Sequence, residues 1–148
     1  AQAALLSAVA NANRAIADYA RENPSRRGMG TTLTAALVFG TDAHIVHIGD
    51  SRAYLRRGRA LHQLTNDHSV VGHMVATGQI TKEQAEHYEH KNVLLQALGV
   101  QAAIQPEISI VRLRAGDVLM LCSDGLTGPV RDPTVLDIML RFDDPVRA

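Results

Sequence analysis

The sequence predicts an α+β fold, with helices packed on antiparallel sheet. Three observations predict it. Strand-like runs between residues 31 and 64 are joined by short turns, which cannot make parallel crossovers. Helical patterns are grouped before, between and after the strands rather than alternating with each one. The chain has 148 residues, 46% hydrophobic and 20% charged, which suits one soluble globular domain over residues 1–148 with a sizeable core.

The elements follow in order. Leu5, Leu6, Val9, Ala12, Ile16, Tyr19 and Ala20 recur at helical spacing, and Pro24 ends that helix near Asn23. After the loop "PSRRGMG", the run "TTLTAALVFG" reads as a buried strand. "HIVHIGD", "SRAYLRR" and "RALHQL" continue an antiparallel meander, with Gly58 at the last turn. "NDHSVVGHMVATG" reads as a helix capped at Asn66 and Asp67 and stopped at Gly78. "TKEQAEHYEH" opens with Thr81 and Gln84 in capping-box spacing. "NVLLQALG" reads as a short helix closed by Gly99. "EISIVRL" and "DVLMLCS" are strands joined by the turn "RAG". "DPTVLDIMLRF" is a helix with Asp132 as N-cap and Pro133 in first position. No repeat or low-complexity segment occurs.

Both ends read as cut. The first helical pattern has no cap before it, and Asp144-Pro145 would open a helix with three residues left. The sequence is therefore expected to be part of a longer domain.

Charge and cysteine content narrow the function. Formal net charge is zero, so nothing electrostatic points to nucleic acid or an anionic membrane. The one cysteine, Cys122, excludes an internal disulfide, fits a reducing compartment, and lies in an apolar strand that reads as core. No apolar run approaches a membrane span and no signal peptide is visible, so a cytoplasmic location is expected.

Two strands end alike. "HIVHI" runs into Gly49-Asp50-Ser51, and "VLMLC" runs into Ser123-Asp124-Gly125. Asp-Gly is a common turn dipeptide, and two such aspartates serve equally well as two turns. If both strand ends meet at one edge, Asp50 and Asp124 converge, and rigidly held carboxylates suit hard cations such as Mg²⁺ or Mn²⁺. The histidines give no zinc pattern. His44 and His47 point to opposite faces of a strand. His87 and His90 share a helix face but have no third ligand at familiar spacing. "GMGTT" lacks the lysine and following helix of a nucleotide loop.

"GMGTTL", "HIGDSRAYL", "LTNDHSVV", "NVLLQALG" and "DVLMLCSDGLT" occur in the order seen in bacterial type 2C protein phosphatases. The chain resembles this metal-dependent serine/threonine phosphatase (PPM) family from Gly28 to Thr127. The resemblance implies an α-β-β-α sandwich of two antiparallel sheets flanked by helices, here incomplete. It implies hydrolysis of phosphoserine and phosphothreonine by metal-activated water at a two-metal Mn²⁺ or Mg²⁺ centre. Asp124 matches the "SDG" metal ligand, catalytic through metal-bound water, and Asp50 matches a ligand that shares an additional metal with it. Residues 68–92 match the flap beside the active site. Ser51 is assigned to the turn and Arg52 to a local carboxylate or carbonyl. Phosphorylated proteins, a serine/threonine kinase among them, are the implied partners. The chain departs from the family in lacking its "DGMGG" and final Asp-Asn motifs. Two carboxylates do not fill the coordination of two hard cations, so weak Mn²⁺ binding and little turnover are expected. The alternative is a non-catalytic pseudophosphatase that binds phosphoproteins.

Overall fold

Residues 1–89 and 93–142 are described in a computed structural model of the chain. Helix α1 (Gln2–Glu22) ends as the sequence predicts, with Asn23 as C-cap ahead of Pro24. Strands β1 (Leu33–Phe39) and β2 (Asp42–Ile48) form an antiparallel hairpin, and β3 (Arg52–Arg57) and β4 (Ala60–Gln63) form another. Then come α2 (Val70–Ala76), α3 (Lys82–Glu86), β5 (Glu107–Arg112), β6 (Val118–Cys122), α4 (Asp124–Thr127) and α5 (Asp132–Arg141).

The expected continuous meander is broken into two sheets, in the orders β1-β2-β5 and β4-β3-β6. The physical reason lies in β2, which is apolar on both faces. Val46 and Ile48 pack against Val9 of α1, while Ala43 and Ile45 pack against Ala53 of β3. A strand buried on both sides needs a layer over each. The chain therefore crosses at residues 49–51, and β3 stacks over β2 instead of pairing beside it. The "RAG" turn crosses likewise, closed by Asp117 N–H donating to Arg114 O at 3.0 Å. It joins β5 and β6 without pairing them. With α1 outside the first sheet and α5 against the second, the layers are helix, sheet, sheet, helix, the sandwich the resemblance implies.

Other expectations shift. β1 and β6 read as buried strands but are edge strands among the described residues: Phe39 is 80% and Leu121 43% exposed, and Cys122 is only half-buried. Helix α2 is capped by Ser69, whose Oγ accepts from Gly72 N, because Asn66 and Asp67 are engaged elsewhere. Asp67 holds Arg52, and Asn66 donates from Nδ2 to Glu107 at 2.8 Å. The Thr81–Gln84 capping box forms as predicted. Residues 93–99 are irregular, not helical, with single bridges at Leu94 and Leu98. Thr31 and Leu98 exchange backbone bonds of 3.1 and 2.8 Å, and these outweigh a short helix with its costly nucleus. Helix α5 starts one residue earlier than predicted, with Arg131 as N-cap, and Asp132 accepts instead from Tyr54 Oη at 2.9 Å. The Asp144-Pro145 signal lies outside the described residues.

Candidate metal centre

The pairing of β3 with β6 builds the site. Their antiparallel register places Arg52 opposite Cys122. The residues just before β3 therefore lie beside those just after β6, and Asp50 and Asp124 line one cavity of about 530 Å³. Thr31, Thr32, Ser51 and Ser123 share its wall.

The Asp50 turn is held from several sides. Gly49 has φ +110°, and a Cβ there would fall 2.3 Å from Thr32 Cγ2, so only glycine fits. His68 N–H donates to Gly49 O at 2.6 Å, and Gly49 N–H reaches His68 Nδ1 at 3.4 Å. Ser51 Oγ meets Thr32 Oγ1 at 2.9 Å, and Thr34 Oγ1 donates to Ser51 O at 3.0 Å. Arg52 finds the carboxylate expected for it. Its Nε and Nη2 reach Asp67 Oδ1 and Oδ2 at 2.8 and 2.6 Å, a bidentate pair.

Asp124 is exposed at the start of α4, where its carbonyl accepts from Gly128 N–H at 2.7 Å. Gly125 carries no positive φ, so the expected tight glycine turn is replaced by a short right-handed helix. Partial burial, and then the charge of Asp124, push the Asp50 carboxyl above its ordinary range. Two carboxylates that repel across a cleft lined by hydroxyls suit a hard cation. Donors of this kind fit Mg²⁺ or Mn²⁺, though two carboxylates are fewer than a two-metal centre needs.

The histidines fall differently from the sequence expectation. By strand alternation His44 and His47 do lie on opposite faces. His87 is exposed, and His90 lies outside the described residues. Unforeseen is a cluster of His47, His68 and Glu107 behind the Asp50 turn. Its signal was the pairing of β2 with β5, which one sequence does not display.

Comparison with known proteins agrees with this fold. The family model "Protein phosphatase 2C" matches residues 1–146. The serine/threonine phosphatase stp of Listeria welshimeri is 42% identical over 127 residues, 86% of this chain and 50% of that protein. The crystal structure of Stp1 from Staphylococcus aureus superposes with a TM-score of 0.94 at 37% identity, over 99% of this chain and 57% of that one. A crystal structure of the PstP catalytic domain in complex with two manganese ions gives 0.77 at 42% identity, over 86% and 53%. The chain thus spans about half the length of the curated Listeria relatives it matches. The family model spans residues 1–146 and the Stp1 fold superposes over nearly every residue: the chain belongs to the protein phosphatase 2C family.

Proposed function

We propose that the chain supplies part of the active centre of a metal-dependent protein serine/threonine phosphatase, with Asp50 and Asp124 as ligands of Mn²⁺ or Mg²⁺. The observation that carries this is the β3–β6 register, which brings two carboxylates into one cleft. A divalent cation there would lower the pKa of water and offset charge on phosphoryl oxygens. The protein's own part is to hold the carboxylates rigidly. Gly49 is clamped to His68, Ser51 to Thr32 and Thr34, and Asp124 opens α4 just after β6.

The substrates in this reading are phosphoserine and phosphothreonine proteins, a serine/threonine kinase among them. Residues 68–92 act as a flap at the cleft within a partial phosphatase domain. The location is cytoplasmic. Among the described residues no helix is long and apolar enough to cross a membrane.

The test is a Mn²⁺ titration of residues 1–148, followed by hydrolysis of p-nitrophenyl phosphate. Weak binding of one cation is expected, lost in Asp50→Ala/Asp124→Ala, with little turnover because the ligand set is short. Unchanged Mn²⁺ binding in the double variant would overturn the assignment. Robust turnover that disappears in Asp124→Ala would keep the assignment but show the ligand set to be complete.

A further inference from the structure

We propose that His47, His68 and Glu107 form a second cation site, selective for a borderline ion such as Zn²⁺. It does not depend on the roles given to Asp50 and Asp124.

Three separate elements bring the donors together. Thr34, His47 and Glu107 are direct cross-strand neighbours on β1, β2 and β5, one row on the sheet face turned inward. His68 arrives from the loop after β4, fixed by its backbone bond to Gly49. One donor atom from each of the three residues lies within 4.8 Å of the others. His68 Nε2 is 4.0 Å from Glu107 Oε2, and the two imidazole centroids are 4.8 Å apart. His47 is fully buried, whereas the side chains of His68 and Glu107 are 15% and 25% exposed, which leaves an entry path. Two imidazoles and a carboxylate are a donor set for Zn²⁺, unlike the all-oxygen cleft on the other side of Gly49.

His47 Nε2 faces Asn66 O at 3.1 Å, and a carbonyl accepts only, so a proton is needed there. His47 Nδ1 faces Thr34 Oγ1 at 2.9 Å, and Thr34 Oγ1 faces Ser51 O at 3.0 Å. A neutral imidazole has one proton and threonine one, but three contacts require three. The network is one positive centre short. A cation at Nε2 supplies it. Nδ1–H then donates to Thr34, and Thr34 donates to Ser51, which is the outer-shell pattern of a metal-bound histidine. Asn66 O becomes a candidate fourth donor. At 3.1 Å from Nε2 along its hydrogen-bonding direction, this oxygen shifts aside to stand about 2.0–2.1 Å from a cation held by Nε2. Burial holds both imidazoles below their ordinary pKa, which keeps them in the neutral, ligating form. His68 gives up its long 3.4 Å contact from Gly49 N–H as its proton moves to Nδ1.

The experiment titrates Zn²⁺, and Co²⁺ as an optical probe, into Asp50→Asn/Asp124→Asn, which removes the oxygen-only cleft. One equivalent of Zn²⁺ and a visible Co²⁺ band of tetrahedral intensity are expected. Adding Glu107→Gln or His68→Asn lowers Zn²⁺ affinity by more than about tenfold, and Thr34→Val, which spares every ligand, lowers it about 10- to 100-fold. Circular dichroism confirms that each variant folds. Mn²⁺ binding by Glu107→Gln with both aspartates intact reports separately on the proposed phosphatase centre. Absence of Zn²⁺ binding, or binding equal in all variants, would overturn the site and leave a hydrogen-bonded cluster that titrates with protons alone.

Discussion

Asp117 and Arg57 form a compact ion pair at the turn between the sheets. Arg57 donates from Nε and Nη2 to the carboxylate at 3.0 and 2.7 Å, and Arg114 N–H adds a bond of 2.8 Å. The Arg57 hydrogen bond, ahead of that from Arg114, holds the Asp117 carboxyl down at about 2. A depressed carboxyl stabilises the fold above its unfolded value, 3.8, and that contribution is lost as pH falls from 3.8 towards 2. Asp117→Asn should therefore lower the melting temperature at pH 7 and leave it little changed near pH 2. A difference that persists at low pH would contradict this. Asp50 has the opposite sign. Its raised carboxyl opposes folding once ionised, and a bound cation relieves that. At this scale the sequence is legible wherever one residue announces both its conformation and its chemistry, as Asp50 does after Gly49. Glu107 announces neither. It is the first residue of an ordinary strand, and its neighbours His47 and Asn66 are at least 41 positions away.

Helix starts show why local signals mislead. Residues 66–69 offer Asn, Asp and Ser, each a good N-cap. Tertiary partners decide among them. Arg52 takes Asp67 and Glu107 takes Asn66, which leaves Ser69 for the α2 backbone. Ser69→Ala should cost about 1 kcal/mol and speed amide exchange within α2. Asn66→Ala should leave α2 exchange unchanged, because Asn66 serves Glu107 instead. Equal effects of the two substitutions would show that the cap is shared. Thr81 and Gln84 have no such competition, and their capping box is readable directly. Residues 93–99 fail as a helix for the same reason that Asn66 fails as a cap: a distant segment, here Thr31, holds their backbone.

Across the whole molecule, one chain of polar contacts ties a loop, a sheet and a helix together. Asp67 in the loop after β4 holds Arg52 of β3, Arg52 Nη1 donates to Tyr54 Oη at 3.0 Å, and Tyr54 donates to Asp132 at the start of α5. Burial, partly offset by Arg52, pushes the Tyr54 phenol up to about 12, so it remains a donor throughout the ordinary pH range. Arg52→Met should cost about 2–3 kcal/mol in urea unfolding, because it leaves Asp67 partly buried without its cation. Arg52→Met/Asp67→Leu should recover much of that, and an equal loss in both would mean that packing, not charge, holds the loop. The α+β class, both hairpins and the main helices could be read from periodicity and turns. The division into two sheets could not, because it depends on β2 being covered on both faces.

That division has a kinetic consequence. Each hairpin has its partner strand nearby, but each sheet takes its third described strand from far along the chain: Ile45 pairs with Ser109, and Arg52 with Cys122. The two hairpins can close early, on the order of 1–10 μs, while β5 and β6 must wait for a long excursion to bring them back. Closing that excursion depends only weakly on its length, and doubling it costs about 0.6 kcal/mol. The same excursion contributes Leu94, Ala97, Val100 and Gln101 to the wall of the carboxylate cleft. The wall over the cleft can therefore change in length and sequence at small thermodynamic cost, while the strands that aim Asp50 and Asp124 stay in register.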